Sequence, residues 1–309
     1  MNYTIVDNFD LRTVGDVLDH FDEGFAKHGS HDQQTHGRKK GFEGYANYAD
    51  KGDHVEFDLE NPHGGKPTRV MVSKKLTPEE TQAAETAVAT AQSLESKYKY
   101  AHADTFKVGV FGQDSFMPER PANLSDTVAG VTYTKHKGRV TDTVDIMIQP
   151  NQVVKPATRR VGSLRGKDGD PKTEAVVTHE YGHTIMSRSN ASHRLEGGPE
   201  YGNQARFVVG GRGGDGLHGK HEVRWATQRN KMIDGMDSHL DDVGLGSVGR
   251  GRAKAARESG WDYAPGTYAM SSVREFQAEA FAHVETGTPG RIFSQTGKEI
   301  QALGRGEMP

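Results

Sequence analysis

The chain has 309 residues, a formal net charge of −3, 15 histidines and no cysteine. Without cysteine there is neither a disulfide scaffold nor a thiolate zinc site, so any metal must be held by histidines and carboxylates. The small negative charge gives no overall pull toward nucleic acid, no apolar run is long enough to span a membrane, and the acidic N-terminus lacks the apolar stretch of a signal peptide.

Along the chain, Leu11, Val14, Val17, Leu18, Phe21 and Phe25 recur at helical spacing and predict a helix over 11–25. Residues 27–53 are polar and glycine-rich and read as a loop or disordered segment. Residues 54–60 (HVEFDLE) and 68–75 (TRVMVSKK) alternate on either side of NPHGGKP, the pattern of a hairpin. Residues 1–75 are thus expected to form an N-terminal extension to a main unit over 76–309. That unit opens with Thr77-Pro78-Glu79-Glu80, which supplies a capping residue, a first-turn proline and a glutamate at the third position. A helix rich in Ala, Glu and Gln should follow to Tyr98. Residues 105–111, 129–135 and 143–149 read as three strands. Asp170-Pro171 opens a helix running to Arg188. Residues 189–260 are rich in Gly and Arg and hold one short helix near 220–242. Ser271 or Ser272 caps a helix over 273–285, and a last short helix is expected over 297–303.

The clearest chemical signal is Thr178-His179-Glu180-Tyr181-Gly182-His183, an H-E-x-x-H pattern inside the helix predicted from 171 to 188. The i, i+4 spacing puts both imidazoles on one face, one turn apart, where a tetrahedral zinc ion can bridge them. Glu180 lies beside that face and can act on a water at the metal without being a ligand, as a general base must. Val176, Val177, Ile185 and Met186 predict a buried helix with the histidines at the edge of the core. The bland alternative is two structural histidines and a glutamate on a core helix.

A catalytic zinc needs a third protein ligand. The metzincin pattern would require glycine at position 186 and histidine at 189, but the chain has Met186 and Ser189, and His193 is off register. Glu275 and Glu279 share one face of the later helix, with Phe276, Ala280 and Phe281 on its apolar side. Two carboxylates on a half-buried face call for a metal, or for histidines that bind one. An exposed glutamate pair is the other reading.

The segment Tyr268-Ala269-Met270-Ser271-Ser272-Val273-Arg274-Glu275-Phe276-Gln277-Ala278-Glu279-Ala280-Phe281 resembles the end of the catalytic domain of the anthrax lethal factor family. Those zincin peptidases pair an H-E-x-G-H helix with a later Y-x(6)-E-F-F-A-E-A-F segment. The resemblance implies an α+β zincin fold with a backing helix, a mixed, mainly antiparallel sheet, an active-site helix and a ligand helix. The elements predicted over 77–98, 105–149, 171–188 and 273–285 follow that order. It implies Zn2+ as cofactor, with His179, His183 and Glu275 as ligands, Glu180 as general base and Tyr268 assisting the oxyanion, a role worth about 3 kcal/mol in comparable sites. It further implies that Glu279 buttresses a zinc-binding histidine. The chain departs from the family at Gln277, where phenylalanine is common and the change should soften packing. It also departs in the long interval between His183 and Glu275, which makes 189–260 an insertion. Residues 143–149, as the last strand before the active helix, are expected to be the edge strand. Guarded by Asp142 and Asp145, that edge could take an extended peptide or protein substrate by strand addition.

A second resemblance lies in Lys27-His28-Gly29-Ser30-His31-Asp32-Gln33-Gln34-Thr35-His36-Gly37, which is similar to a K-H-x-x-H-D-Q-x-T-H-G box in proteins of tailed bacteriophages infecting actinobacteria. It implies a phage-encoded protein, in the host cytoplasm or associated with the virion. His31, Asp32 and His36 are fit metal ligands; a flexible polar segment that binds nothing is the alternative. The expected function is a zinc endopeptidase of gluzincin type. The alternative is a virion structural or delivered protein, in contact with other virion proteins, that keeps the fold with little turnover. The set His179, Glu180, His183, Tyr268 and Glu275 favours catalysis, because a non-catalytic protein has no chemical need for Glu180 or Tyr268. Membrane contact is not expected.

Overall fold

The structure, a computed structural model, describes residues 41–120, 129–137, 140–154, 173–195, 217–242, 269, 272–287 and 293–307. The expected helix over 11–25, the His28–Gly37 box and Tyr268 lie outside the described residues. The strands are β1 (Ala46–Asp50), β2 (His54–Leu59), β3 (Thr68–Ser73), β4 (Thr105–Val108), β5 (Gly130–Lys137) and β6 (Val140–Ile148). The helices are α1 (Pro78–Lys97), α2 (Pro150–Val154), α3 (Thr173–Leu195), α4 (Leu217–Asp242), α5 (Val273–Glu285) and α6 (Ser294–Arg305).

The strands form one mixed sheet in the order β1-β2-β3-β4-β6-β5. β1/β2, β2/β3 and β5/β6 are antiparallel, whereas β3/β4 and β4/β6 are parallel. A parallel neighbour needs a crossover, and α1 supplies it between β3 and β4. The hairpin strands of 54–75 are therefore hydrogen-bonded into the same sheet as the strands that follow α1. Mixed α and β elements around such a sheet are compatible with the expected α+β class. Among the described residues, no helix is long and apolar enough to cross a membrane.

Alternation decides which face is buried. Phe57, Val70, Val72, Phe106, Val108, Val144, Ile146 and Ile148 share one core with Ala84, Ala87, Val88 and Ala91 of α1 and Val176, Val177, Tyr181 and Ile185 of α3. The small alanine face of α1 lets that helix lie close to the sheet. Its start is fixed as the sequence predicts: Thr77 accepts from the Glu80 N–H, and the Glu80 carboxylate accepts from the Thr77 N–H. A smaller cluster on the other sheet face joins Phe111, Phe116 and Met117 to Met147, Val131 and Tyr133.

Three expectations change. Residues 46–50, inside the segment read as loop, pair with β2 as a strand. The helix expected near 220–242 as a short one is α4, 26 residues long. The strand expected at the sheet edge, 143–149, falls on β6, which ends at Ile148 and is internal; β5 is the edge. The reason is visible in composition. Val144, Ile146 and Ile148 on one face and Met147 on the other are all buried, as an inner strand requires, while β5 carries Thr132, Thr134 and Lys135.

Two features couple this scaffold to the helix bearing H-E-x-x-H. A β-carbon added at Gly182 would lie 2.9 Å from Ala278 Cα and 3.2 Å from its carbonyl oxygen, so the backbones of α3 and α5 touch there. Gly182→Ala should push the helices apart and lower stability by about 1–3 kcal/mol in thermal unfolding, with weakened metal retention. Unchanged stability would mean that the helices part freely.

The second feature is Glu95, 2% exposed on the inner face of α1. It accepts from the Tyr181 hydroxyl at 2.7 Å and from the Ala103 N–H at 3.3 Å. Thr68 Oγ1 lies 2.8 Å from both carboxyl oxygens and 2.6 Å from the Ala103 carbonyl. A single hydroxyl hydrogen cannot serve all of these acceptors. A protonated Glu95 that donates to Thr68, which in turn donates to Ala103, satisfies them. Burial pushes the Glu95 carboxyl up from 4.5 to about 7, against hydrogen bonds from Tyr181 and Thr68. The folded state then holds a proton that the unfolded chain has released. Glu95 contributes stability fully below pH 4.5, and that contribution is lost as pH rises through about 7. Glu95→Gln mimics the protonated acid. It should gain stability over the wild type across that interval, by on the order of 3 kcal/mol at its upper end, in urea unfolding at a series of pH values. A constant difference from pH 4 to 8 would show that Glu95 does not titrate there.

Candidate metal centre

His179 and His183 project from the same face of α3, as their spacing predicts, with His179 4% exposed and His183 partly exposed. Glu275 lies in the first turn of α5, held by the helix start: Ser272 is the N-cap, and its hydroxyl accepts from the Glu275 N–H. The contact of Gly182 with Ala278 sets α5 against α3 at the height that brings Glu275 to the histidines.

Three donor atoms converge. His179 Nε2 is 3.1 Å from Glu275 Oε2, His183 Nε2 is 3.2 Å from His179 Nε2, and His183 Nε2 is 3.4 Å from Glu275 Oε2. Ligands about 2.0–2.1 Å from a tetrahedral zinc stand about 3.3–3.4 Å from one another, so the triangle matches a zinc site in size. Hydrogen bonding alone explains it less well. Each Nε2 carries at most one hydrogen, so two of the three contacts can be linear hydrogen bonds and the histidine–histidine contact is left over. A cation at the centre serves all three. Among the described residues this is the one group of three or more His, Asp or Glu side chains whose donor atoms lie within 4.8 Å of each other.

The electrostatics run the same way. Burial opposes the charge on His179, but the hydrogen bond and charge of Glu275, with the charges of Glu180 and Glu279, outweigh it and hold the ring at about 9. Burial likewise opposes charge on Glu275, yet hydrogen bonds from His179 and His183 keep its carboxyl well below the usual range.

Glu180 is 5% exposed, and the Thr132 hydroxyl on β5 donates to Glu180 Oε2 at 2.6 Å. Burial raises the Glu180 carboxyl, with the His179 and His183 charges and the Thr132 hydrogen bond acting against that. Glu279, one turn beyond Glu275, is 1% exposed; its charge acts on His179 and its Oε2 lies 3.7 Å from His283 Nε2. Thus His179, His183, Glu275, Glu180 and Glu279 come together.

The structure adds partners that the motifs do not announce. His221 of α4, with its side chain fully buried, donates from Nε2 to Glu299 at 2.9 Å and accepts at Nδ1 from the Gln277 amide at 2.9 Å. Arg224 pairs with the same Glu299. Gln277, where the resemblance led to an expectation of softer packing, makes a buried hydrogen bond that fastens α4 to α5. In comparisons with protein-family models, curated proteins and solved structures, nothing matches the chain.

Proposed function

We propose that the chain is a phage-encoded, zinc-dependent endopeptidase of gluzincin type. The observation that supports this best is the convergence of His179, His183 and Glu275 on one point with the buried Glu180 beside it. His179 and His183 from α3 and Glu275 from α5 would hold the ion. When bound, zinc supplies a Lewis acid that polarises a carbonyl and makes water more acidic. The chain's own groups account for the remainder. Glu180 takes a proton from the attacking water as the new carbon–oxygen bond forms, and passes it to the amine as the carbon–nitrogen bond breaks. Tyr268, seven residues before Glu275, is assigned the hydrogen bond to the developing oxyanion by its register alone. Glu279 is assigned the support of His179. The outer edge of β5 takes the part expected of 143–149, pairing with an extended peptide or protein substrate.

A virion protein without turnover would carry Glu180 at a cost, since a buried carboxylate must be solvated by the fold. That cost favours the catalytic reading. Incubating the full chain with one equivalent of zinc and a proteome-derived peptide library should yield new termini by mass spectrometry, and a chelator should abolish them. A library left intact by a zinc-loaded chain would favour the virion reading.

A further inference from the structure

Glu180 is held by the sheet edge rather than by its own helix. Gly130, Thr132 and Thr134 face the same side of the sheet as Ile148, Ile146 and Val144, the residues opposite them, so this side of β5 looks onto α3. Thr132 Oγ1 lies 2.6 Å from Glu180 Oε2 and 3.1 Å from the Glu180 carbonyl oxygen. Its single hydrogen goes to the carboxylate, the closer and more strongly accepting partner. Two residues earlier, a β-carbon added at Gly130 would fall 2.7 Å from Glu180 Oε1, 3.0 Å from its Cγ and 3.0 Å from Val176 Cγ1. One carboxyl oxygen is bound by Thr132, and the other occupies space that any side chain at 130 would fill.

We infer that Thr132 is a positioning residue, with Gly130 as its complement, which fixes the Glu180 carboxylate beside the metal ligands. This rests on the peptidase reading above. A glutamate side chain has three rotatable bonds, and a general base serves only within a narrow geometry. Thr132 removes that freedom on one side and Gly130 admits the resulting rotamer on the other. Because both stand on β5, the strand proposed to pair with substrate also sets the base, so register and base geometry share one element.

The test uses the full-length chain loaded with cobalt(II), whose visible spectrum reports ligands at the metal, titrated with acetohydroxamic acid. Hydroxamates chelate the metal through two oxygens and share a proton with a carboxylate beside it, so their affinity reads the placement of Glu180 without a substrate. Thr132→Val and Gly130→Ala are expected to bind cobalt like the wild type but to weaken acetohydroxamate about tenfold, while Thr132→Ser stays within about twofold. Thr132→Val on top of Glu180→Gln should weaken it no further, because the two act as one unit. Wild-type affinity in Thr132→Val would overturn the inference, and so would an additive loss in the double variant. Should no chain, wild type included, bind cobalt, the peptidase reading itself fails and takes the inference with it.

Discussion

A Glu180→Gln chain is expected to keep its zinc and to lose peptide hydrolysis by about 10²–10⁴-fold, the usual contribution of a positioned acid–base group. Glutamine has the same shape, and its carbonyl oxygen still accepts from the Thr132 hydroxyl that holds Glu180 at 2.6 Å. The fold should therefore be undisturbed. What is lost is the ability to take a proton. Burial raises the Glu180 carboxyl above its ordinary value, the direction that makes a carboxylate a better proton acceptor. Cleavage rate and zinc content measured together decide the matter. Turnover at the wild-type rate would place the base elsewhere, while loss of zinc would make Glu180 part of the ligand set.

Removing His179 should cost more than removing His183, though each supplies one nitrogen. The His179 side chain is 5% exposed and that of His183 20%. His179→Ala removes both the nearest partner of the Glu275 carboxylate and the more deeply buried of the two rings, and about 1–3 kcal/mol of stability is expected to go with it in the metal-free protein. His183→Ala, at the wetter end, should lose metal with a smaller penalty on folding. Urea unfolding of the two variants without metal gives the comparison. Equal destabilisation would mean that Glu275 is indifferent to which histidine remains.

Much of this was legible in the residues because it is local. The capping box at Thr77, the i, i+4 histidines and the glutamate in the first turn of α5 are patterns within a single turn, and the helices form where those patterns lie. What was not legible is what long-range pairing decides. β6 is the more apolar of the last two strands, but position in the chain does not say which of them meets β4; the parallel pairing of β4 with β6 is what makes β5 the edge. Thr132 and Gly130 carry no local mark; their meaning comes from facing Glu180 from far along the chain, Thr132 across 48 positions of sequence. Gln277 makes its buried hydrogen bond with a residue 56 positions away, His221, which lies in a stretch with no motif of its own. Glu95, by contrast, does carry a local mark. It falls one turn after Ala91 on the alanine face of α1, where a charge is out of place unless neutralised or paired.

The central claim is that His179, His183 and Glu275 hold a metal ion. Elemental mass spectrometry on the purified full chain, wild type and Glu275→Ala, each supplied with zinc and then desalted, measures it most directly. The account predicts close to one zinc per chain in the wild type and clearly less in the variant. No zinc in the wild type, or equal zinc in both, would contradict it.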